Sequence, residues 1–328
     1  MKYRRLGKSN LMVSEIGFGA WTLALDWWGK KFDDDEAIKM LKKAFDLGIN
    51  FYQTADVYGK GKSDKLIGEA FKGMKDEIII SSMFGYDIYR NKQVGHDELP
   101  QRWDEEYIRF ALDQALSRLN RDKIEVYTLH NPKMEAILDD ELFRVMEALR
   151  EEGKITHYGV GLGPAIGWKE EGIIAMENRN ISALITVYNL LEQQPGRDLF
   201  EVAKANDVGV LIRVPDASGI LTGKINANTV FSEKDHRKFR TKEWIINALK
   251  KVDNIKHIAD ARGWSINELS IKFILTEDVV SSILPTITSI EELEEYASFS
   301  DGKYLNDDEY EYLKSMYDKN FMVEALVS

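Results

Sequence analysis

Short apolar runs alternate with amphipathic stretches along the whole chain. The runs are Glu15–Gly19, Asn50–Thr54, Ile78–Met83, Ile124–His130, His157–Leu162, Ala183–Val187, Gly209–Val214 and Ser281–Thr286. Several are apolar at nearly every position and bounded by turn residues, the pattern of strands covered on both faces. The stretches between them carry helical spacing. Ile38, Leu41 and Phe45 share a face, with Gly48 as a stop; Ile108, Leu112, Ala115 and Leu119 form a second stripe, and Ile245, Leu249 and Val252 a third. Eight strands, each followed by a helix, predict a closed parallel barrel. Met1–Val13 reads instead as a hairpin turning at Gly7–Asn10, which would cap the N-terminal end of that barrel.

Chemistry in such a barrel gathers at the C-terminal strand ends. Those ends carry Gln53 with Asp56 and Tyr58, then Met83, His130 and Arg213. They are far apart in sequence, yet one face of the fold would collect them.

Composition narrows the field. At a net charge of −11, nucleic acid and anionic membrane surfaces are poor partners. No long apolar stretch predicts a membrane span, and the absence of cysteine excludes disulfides, thiolate chemistry and cysteine zinc sites. A cytoplasmic protein of one domain over residues 1–328 is expected, with a small carbonyl compound or an anionic ligand as partner. Gly159-Val160-Gly161-Leu162-Gly163 imitates a dinucleotide fingerprint but lacks its further glycine and downstream acid.

The run Asn50-Phe51-Tyr52-Gln53-Thr54-Ala55-Asp56-Val57-Tyr58-Gly59 resembles the second strand and loop of the aldo-keto reductases. Leu129-His130-Asn131-Pro132 resembles that family's "LHxP", and Ser218-Gly219-Ile220-Leu221-Thr222-Gly223-Lys224 its pyrophosphate loop, "GxLTGK". Similarity of this kind extends over about residues 1–320. It implies a (β/α)8 TIM-type barrel with an N-terminal hairpin and NAD(P)H-dependent reduction of a carbonyl or sugar. The family's site is an Asp, a Tyr, a Lys and a His. The resemblance makes Tyr58 the proton donor and His130 the donor to the substrate carbonyl. Gln53 stands at the Asp position and Met83 at the Lys position, where the family reads "TKFG". The two charged members are therefore replaced together, which keeps the interior neutral; losing one alone would strand a buried charge at about 3–5 kcal/mol.

The cofactor positions are mixed. Ser218, Gly219, Leu221, Gly223 and Lys224 would hold the diphosphate, and Tyr188 matches the family segment after strand six. Arg213 stands where an aromatic often stacks on the nicotinamide; it could stack, substitute for the missing lysine, or form a salt bridge at the barrel mouth. Leu162 and Ile185 replace the carboxamide clamp, and Asp216 places a carboxylate near the loop. Glu292 falls at the usual basic position and Tyr296 at an asparagine. Glu292 would repel a 2′-phosphate, so NADH is favoured over NADPH; as a helix N-terminal acid it could equally serve stability alone. Trp27, Trp28 and Trp168 would line the substrate mouth or a protein interface. His236 and Arg237 would cap an anion or face solvent. Gly163–Trp168 and Asp235–Arg237 resemble segments of one branch of the family. A catalytically degenerate binding or regulatory barrel, and a non-redox lyase or isomerase using Tyr58, His130 and Arg213 on an anion, are the alternatives.

Overall fold

The computed structural model describes residues 1–92, 94, 97–163 and 168–324. Of the Gly163–Trp168 segment, residues 164–167 lie outside the described residues.

Two short strands, β1 (Tyr3–Arg5) and β2 (Met12–Ser14), pair antiparallel as the predicted hairpin. Eight more follow: β3 (Phe18–Gly19), β4 (Phe51–Ala55), β5 (Ile79–Phe84), β6 (Ile124–His130), β7 (Ile155–Gly161), β8 (Ala183–Val187), β9 (Gly209–Arg213) and β10 (Val280–Leu284). They pair in parallel in sequence order. A parallel bridge between Ile16 and Ile283 joins the first edge to the last and closes the barrel.

β6 and β8 coincide with the predicted runs. β3 is shorter than expected because Glu15 and Gly17 each exchange only one backbone bond with Ile283, 2.8 Å in both cases. β10 stops at Leu284 because Pro285 has no N–H to donate. β9 stops at Arg213 because Val214 turns into the left-handed region at φ 55°.

The helices start where capping residues precede apolar periodicity. Asp33 and Glu36 form a reciprocal capping box for the helix Asp34–Asp46. The stripe Ile108, Leu112, Ala115 and Leu119 is buried as expected. The hairpin plugs the N-terminal end: Leu6 and Val13 pack with Phe51, Val126, Ala183 and Leu211. Gly7 permits this closure, because a Cβ there would stand 2.3 Å from the Gly209 amide nitrogen. Period-two alternation then sets the interior. Phe51, Gln53 and Ala55 face inward from β4, while the Tyr52 hydroxyl faces outward and donates to the carbonyls of Leu41 and Ile49. No helix among the described residues is long and apolar enough to cross a membrane.

Candidate functional site

With the N-terminal end plugged, the opposite end opens into a cavity of about 690 Å³. Gln53, Tyr58, Met83, His130 and Arg213 all line it. The ring of Tyr58 packs edge-on against His130 at 6.0 Å and against Trp21 at 6.3 Å. Tyr86 closes the other side of His130 at 5.0 Å, its hydroxyl donating to Glu98 and accepting from the Asn131 amide. Sequence reasoning passed over Trp21 and Tyr86; both lie just beyond the ends of β3 and β5, and that position was their available signal.

The electrostatics follow from burial. The Tyr58 phenol is pushed up to about 12 by burial; the Arg213 charge and a hydrogen bond from Gln53 pull the other way, and Asp56 adds to the rise. The His130 imidazole is pushed down to about 3, by burial and then by the Arg213 charge, so it is neutral near pH 7. Its Nδ1 is buried without a partner among the described residues. Gln53 gives one of its two amide N–H groups to the Thr54 carbonyl at 2.7 Å. Met83 is 3% exposed and packs with Ala55, Ile185 and Leu284. The interior at these two positions is neutral and filled.

Among the described residues Arg213 forms no salt bridge, contrary to one expectation. Its Nη2 donates to the Leu162 carbonyl, while its Nε is buried with no partner among the described residues. Burial holds its pKa below the ordinary range, and only Tyr58 and Tyr86 act to raise it. Asp56 also departs from expectation. It is absent from the cavity lining and buried in the wall, where burial and the Asp64 charge raise its carboxyl well above the usual range.

The loop after β9 forms the next stretch of cavity wall. Ala217, Ser218 and Gly219 run through positive φ (49°, 59° and 91°) into a 3-10 turn at Ile220–Thr222. Ser218, Gly219 and Lys224 line the cavity; Leu221 is fully buried and anchors the loop in the core, and Gly223 (φ 74°) ends the turn without lining the cavity. The Ser218 hydroxyl accepts from Arg240, which also pairs with Glu192 at 3.3 Å. Lys224 pairs with Glu292 at 3.0 Å. Burial would raise the Glu292 carboxyl, but hydrogen bonds from Thr288 and the Lys224 ammonium hold it below its ordinary value.

Tyr188 does not reach the cavity. Ile185 and Val187 of β8 face inward, so alternation turns Tyr188 outward, where it stacks on Phe273 at 5.5 Å and bonds the Tyr310 hydroxyl. Trp27, Trp28 and Trp168 do line the cavity. Trp27 stacks on His236 at 6.0 Å, and Arg237 grips Asp235 at 2.7 Å. Arg237 is half-buried in the cavity wall, whereas His236 borders the cavity but is exposed to solvent.

Asp216 is 6% exposed, and its carboxylate accepts from the Gly219 amide at 3.1 Å. Burial pushes it up to about 6, against that hydrogen bond and the Arg237 charge. A carboxyl with a raised folded pKa binds its proton more tightly when folded. Stability is therefore gained as pH falls from about 6 toward the unfolded value of about 4, and withheld above 6. Asp216→Asn is expected to raise stability at pH 7.5 by roughly 1–3 kcal/mol, with the gain vanishing below about pH 4. Denaturant midpoints at the two pH values check this; an equal gain at both would exclude ionisation as the cause.

A sequence model described as the aldo/keto reductase family matches residues 15–318. The chain belongs to the aldo/keto reductase family. It is 26% identical over 328 residues to an uncharacterized oxidoreductase, YqkF, of Bacillus subtilis (strain 168), covering 96% of each chain. It is 26% identical over 306 residues to a probable voltage-gated potassium channel subunit beta of Oryza sativa subsp. japonica, covering 88% of each. Aldo-keto reductase AKR11C1 from Bacillus halodurans, in its holo form, superposes with a TM-score of 0.77 at 25% identity, over 100% of this chain and 98% of that one.

Proposed function

We propose that the protein is an NAD(P)H-dependent carbonyl reductase with weakened acid catalysis. The observation that carries this reading is the edge-to-face pair of Tyr58 and His130 on the cavity wall, shared with the Ser218–Lys224 loop. Tyr58 holds the proton that passes to the carbonyl oxygen, and neutral His130 offers an N–H to the same oxygen. With its pKa near 12, Tyr58 is a reluctant donor, because neither Gln53 nor Met83 carries the charge that would bring it down. Arg213 supplies part of that charge.

The residues present fit a dinucleotide. At Gly219 the loop presents bare backbone to the cavity, and a Cβ there would meet the Ile225 Cδ1 at 2.9 Å. Ser218, Gly219 and Lys224 would hold the diphosphate, with Arg237 and Arg240 nearby, and Trp27, Trp28 and Trp168 would enclose the substrate. When bound, the nicotinamide supplies the hydride.

The Lys224–Glu292 pair supports NADH over NADPH, since a 2′-phosphate there would meet a carboxylate already satisfied by the local cation. NADH is expected to bind about 10- to 100-fold tighter than NADPH, and Glu292→Arg to narrow or reverse the order. Fluorescence titration of both nucleotides checks this; equal affinities in the wild-type protein would refute it.

A second reading is favoured by the neutral Gln53–Met83 interior: a nucleotide-binding regulatory barrel without hydride transfer. A relative that bears the name of a channel subunit is compatible with such a role. A broad aldehyde and ketone panel separates the two, because robust turnover at neutral pH excludes the second reading.

A further inference from the structure

The cations around the cavity are not alike. Lys224 is paired with Glu292 at 3.0 Å, Arg237 with Asp235 at 2.7 Å, and Arg240 with Glu192 at 3.3 Å. Among the described residues Arg213 has only the Leu162 carbonyl, and its Nε–H is buried without a partner. The two carboxylates that its own loop and the preceding one bring to the cavity are engaged elsewhere, Asp216 by the Gly219 amide and Glu192 by Arg240. The Arg213 side chain is half-buried and faces the cavity, its Nε is buried, and among the described residues no carboxylate pairs with its charge.

The surroundings make the site more demanding. Met83, Leu162 and Ile185 are apolar and almost fully buried. His130 is neutral, and Tyr58 and Tyr86 keep their protons near pH 7 because burial raises both phenols. An anion entering here meets one positive charge, a low local dielectric and no competing carboxylate on the guanidinium. The planar fork of arginine suits a carboxylate or a phosphate with two parallel hydrogen bonds.

We infer that Arg213 is an oxyanion anchor, and that the substrates are small carbonyl compounds bearing a carboxylate or phosphate. The oxyanion could come from the substrate or from the nucleotide diphosphate. The neighbours favour the substrate. Arg213 interacts with Tyr58, Tyr86 and His130, at the carbonyl end of the cavity, whereas the Ser218–Lys224 loop has Arg237 and Arg240 close by. An anion held by Arg213 would place a carbonyl a few bonds away against Tyr58 and His130. The inference rests on the reductase reading for the carbonyl, not for the anion.

The test is calorimetric titration with oxalate and its neutral isostere oxamide, without nucleotide and at saturating NADH, on the wild-type protein, Arg213→Gln and Arg213→Lys. Oxalate is expected to bind about 10- to 100-fold tighter than oxamide. Arg213→Gln should erase that difference and Arg213→Lys retain part of it. Equal binding of the two ligands, failure of oxalate to bind, or undiminished preference in Arg213→Gln would overturn the anchor. The wild-type comparison stands even if a variant does not fold. Competition between oxalate and NADH would move the anion to the diphosphate and overturn the substrate assignment. Glyoxylate and glycolaldehyde turnover then separates this inference from the reductase reading. Oxalate preference with no NADH oxidation by either carbonyl sinks the reductase and leaves the anchor. Equal efficiency with both sinks the substrate class and leaves the reductase.

Discussion

Phenylalanine at position 58 is expected to lower carbonyl reduction by about 10²- to 10⁴-fold while leaving the fold nearly unchanged. The ring contacts that seat Tyr58, with Trp21 at 6.3 Å and His130 at 6.0 Å, survive the substitution. So does the backbone bond from the Tyr58 amide to the Ala55 carbonyl. What disappears is the hydroxyl and its bond from Gln53, a loss of about 1 kcal/mol or less in stability. Activity and stability therefore separate, which a core-packing role for Tyr58 would not predict. The measurement is kcat/KM for an aldehyde panel with NADH, beside a thermal melt. Tyr86 provides the competing assignment. It lies 5.0 Å from His130, but its proton is engaged by Glu98 and its oxygen by Asn131. Full activity in Tyr58→Phe, with activity lost in Tyr86→Phe, would transfer the acid to Tyr86.

The barrel was legible because its strands are buried on both faces, and such strands are written as continuous apolar runs. β6 and β8 could be read to the residue. β3 could not, because a two-residue strand closed by a single bridge has little pattern of its own. Alternation also held the correction for Tyr188: once Ile185 and Val187 face the cavity, the next residue must turn away. The state of Arg213 was less accessible. A salt bridge there depends on which carboxylates arrive through folding and whether they are already engaged. Asp216 stands three residues away in sequence, yet its carboxylate is turned to the Gly219 amide. The reading of Gln53 and Met83 as replacements of a charged pair comes from the family resemblance, whereas the neutral packing around Met83 is a property of three other strands.

Restoring the charged pair, as Gln53→Asp with Met83→Lys, is expected to raise reductase activity by about 10²-fold or more, provided both changes are made together. Met83→Lys alone would place an ammonium among Ala55, Ile185 and Leu284 in an interior where Arg213 has no carboxylate partner among the described residues. Gln53→Asp alone would place a carboxylate at a position 1% exposed. Each single change strands a buried charge and should lower stability by about 3–5 kcal/mol. The double variant pairs them, so its melting temperature should recover most of what the singles lose. Thermal melts of the four proteins measure that coupling directly. The catalytic gain has a separate origin: a lysine beside Tyr58 would bring its pKa down from about 12, toward the range where the phenol gives up its proton readily. A double variant with recovered stability and no gain in kcat/KM would show that tuning Tyr58 is not what limits the protein. The deficit would then lie with Leu162 and Ile185, apolar and 1–2% exposed where the family's nicotinamide clamp is polar. Polar side chains restored there, on the double background, would be the next substitutions to measure.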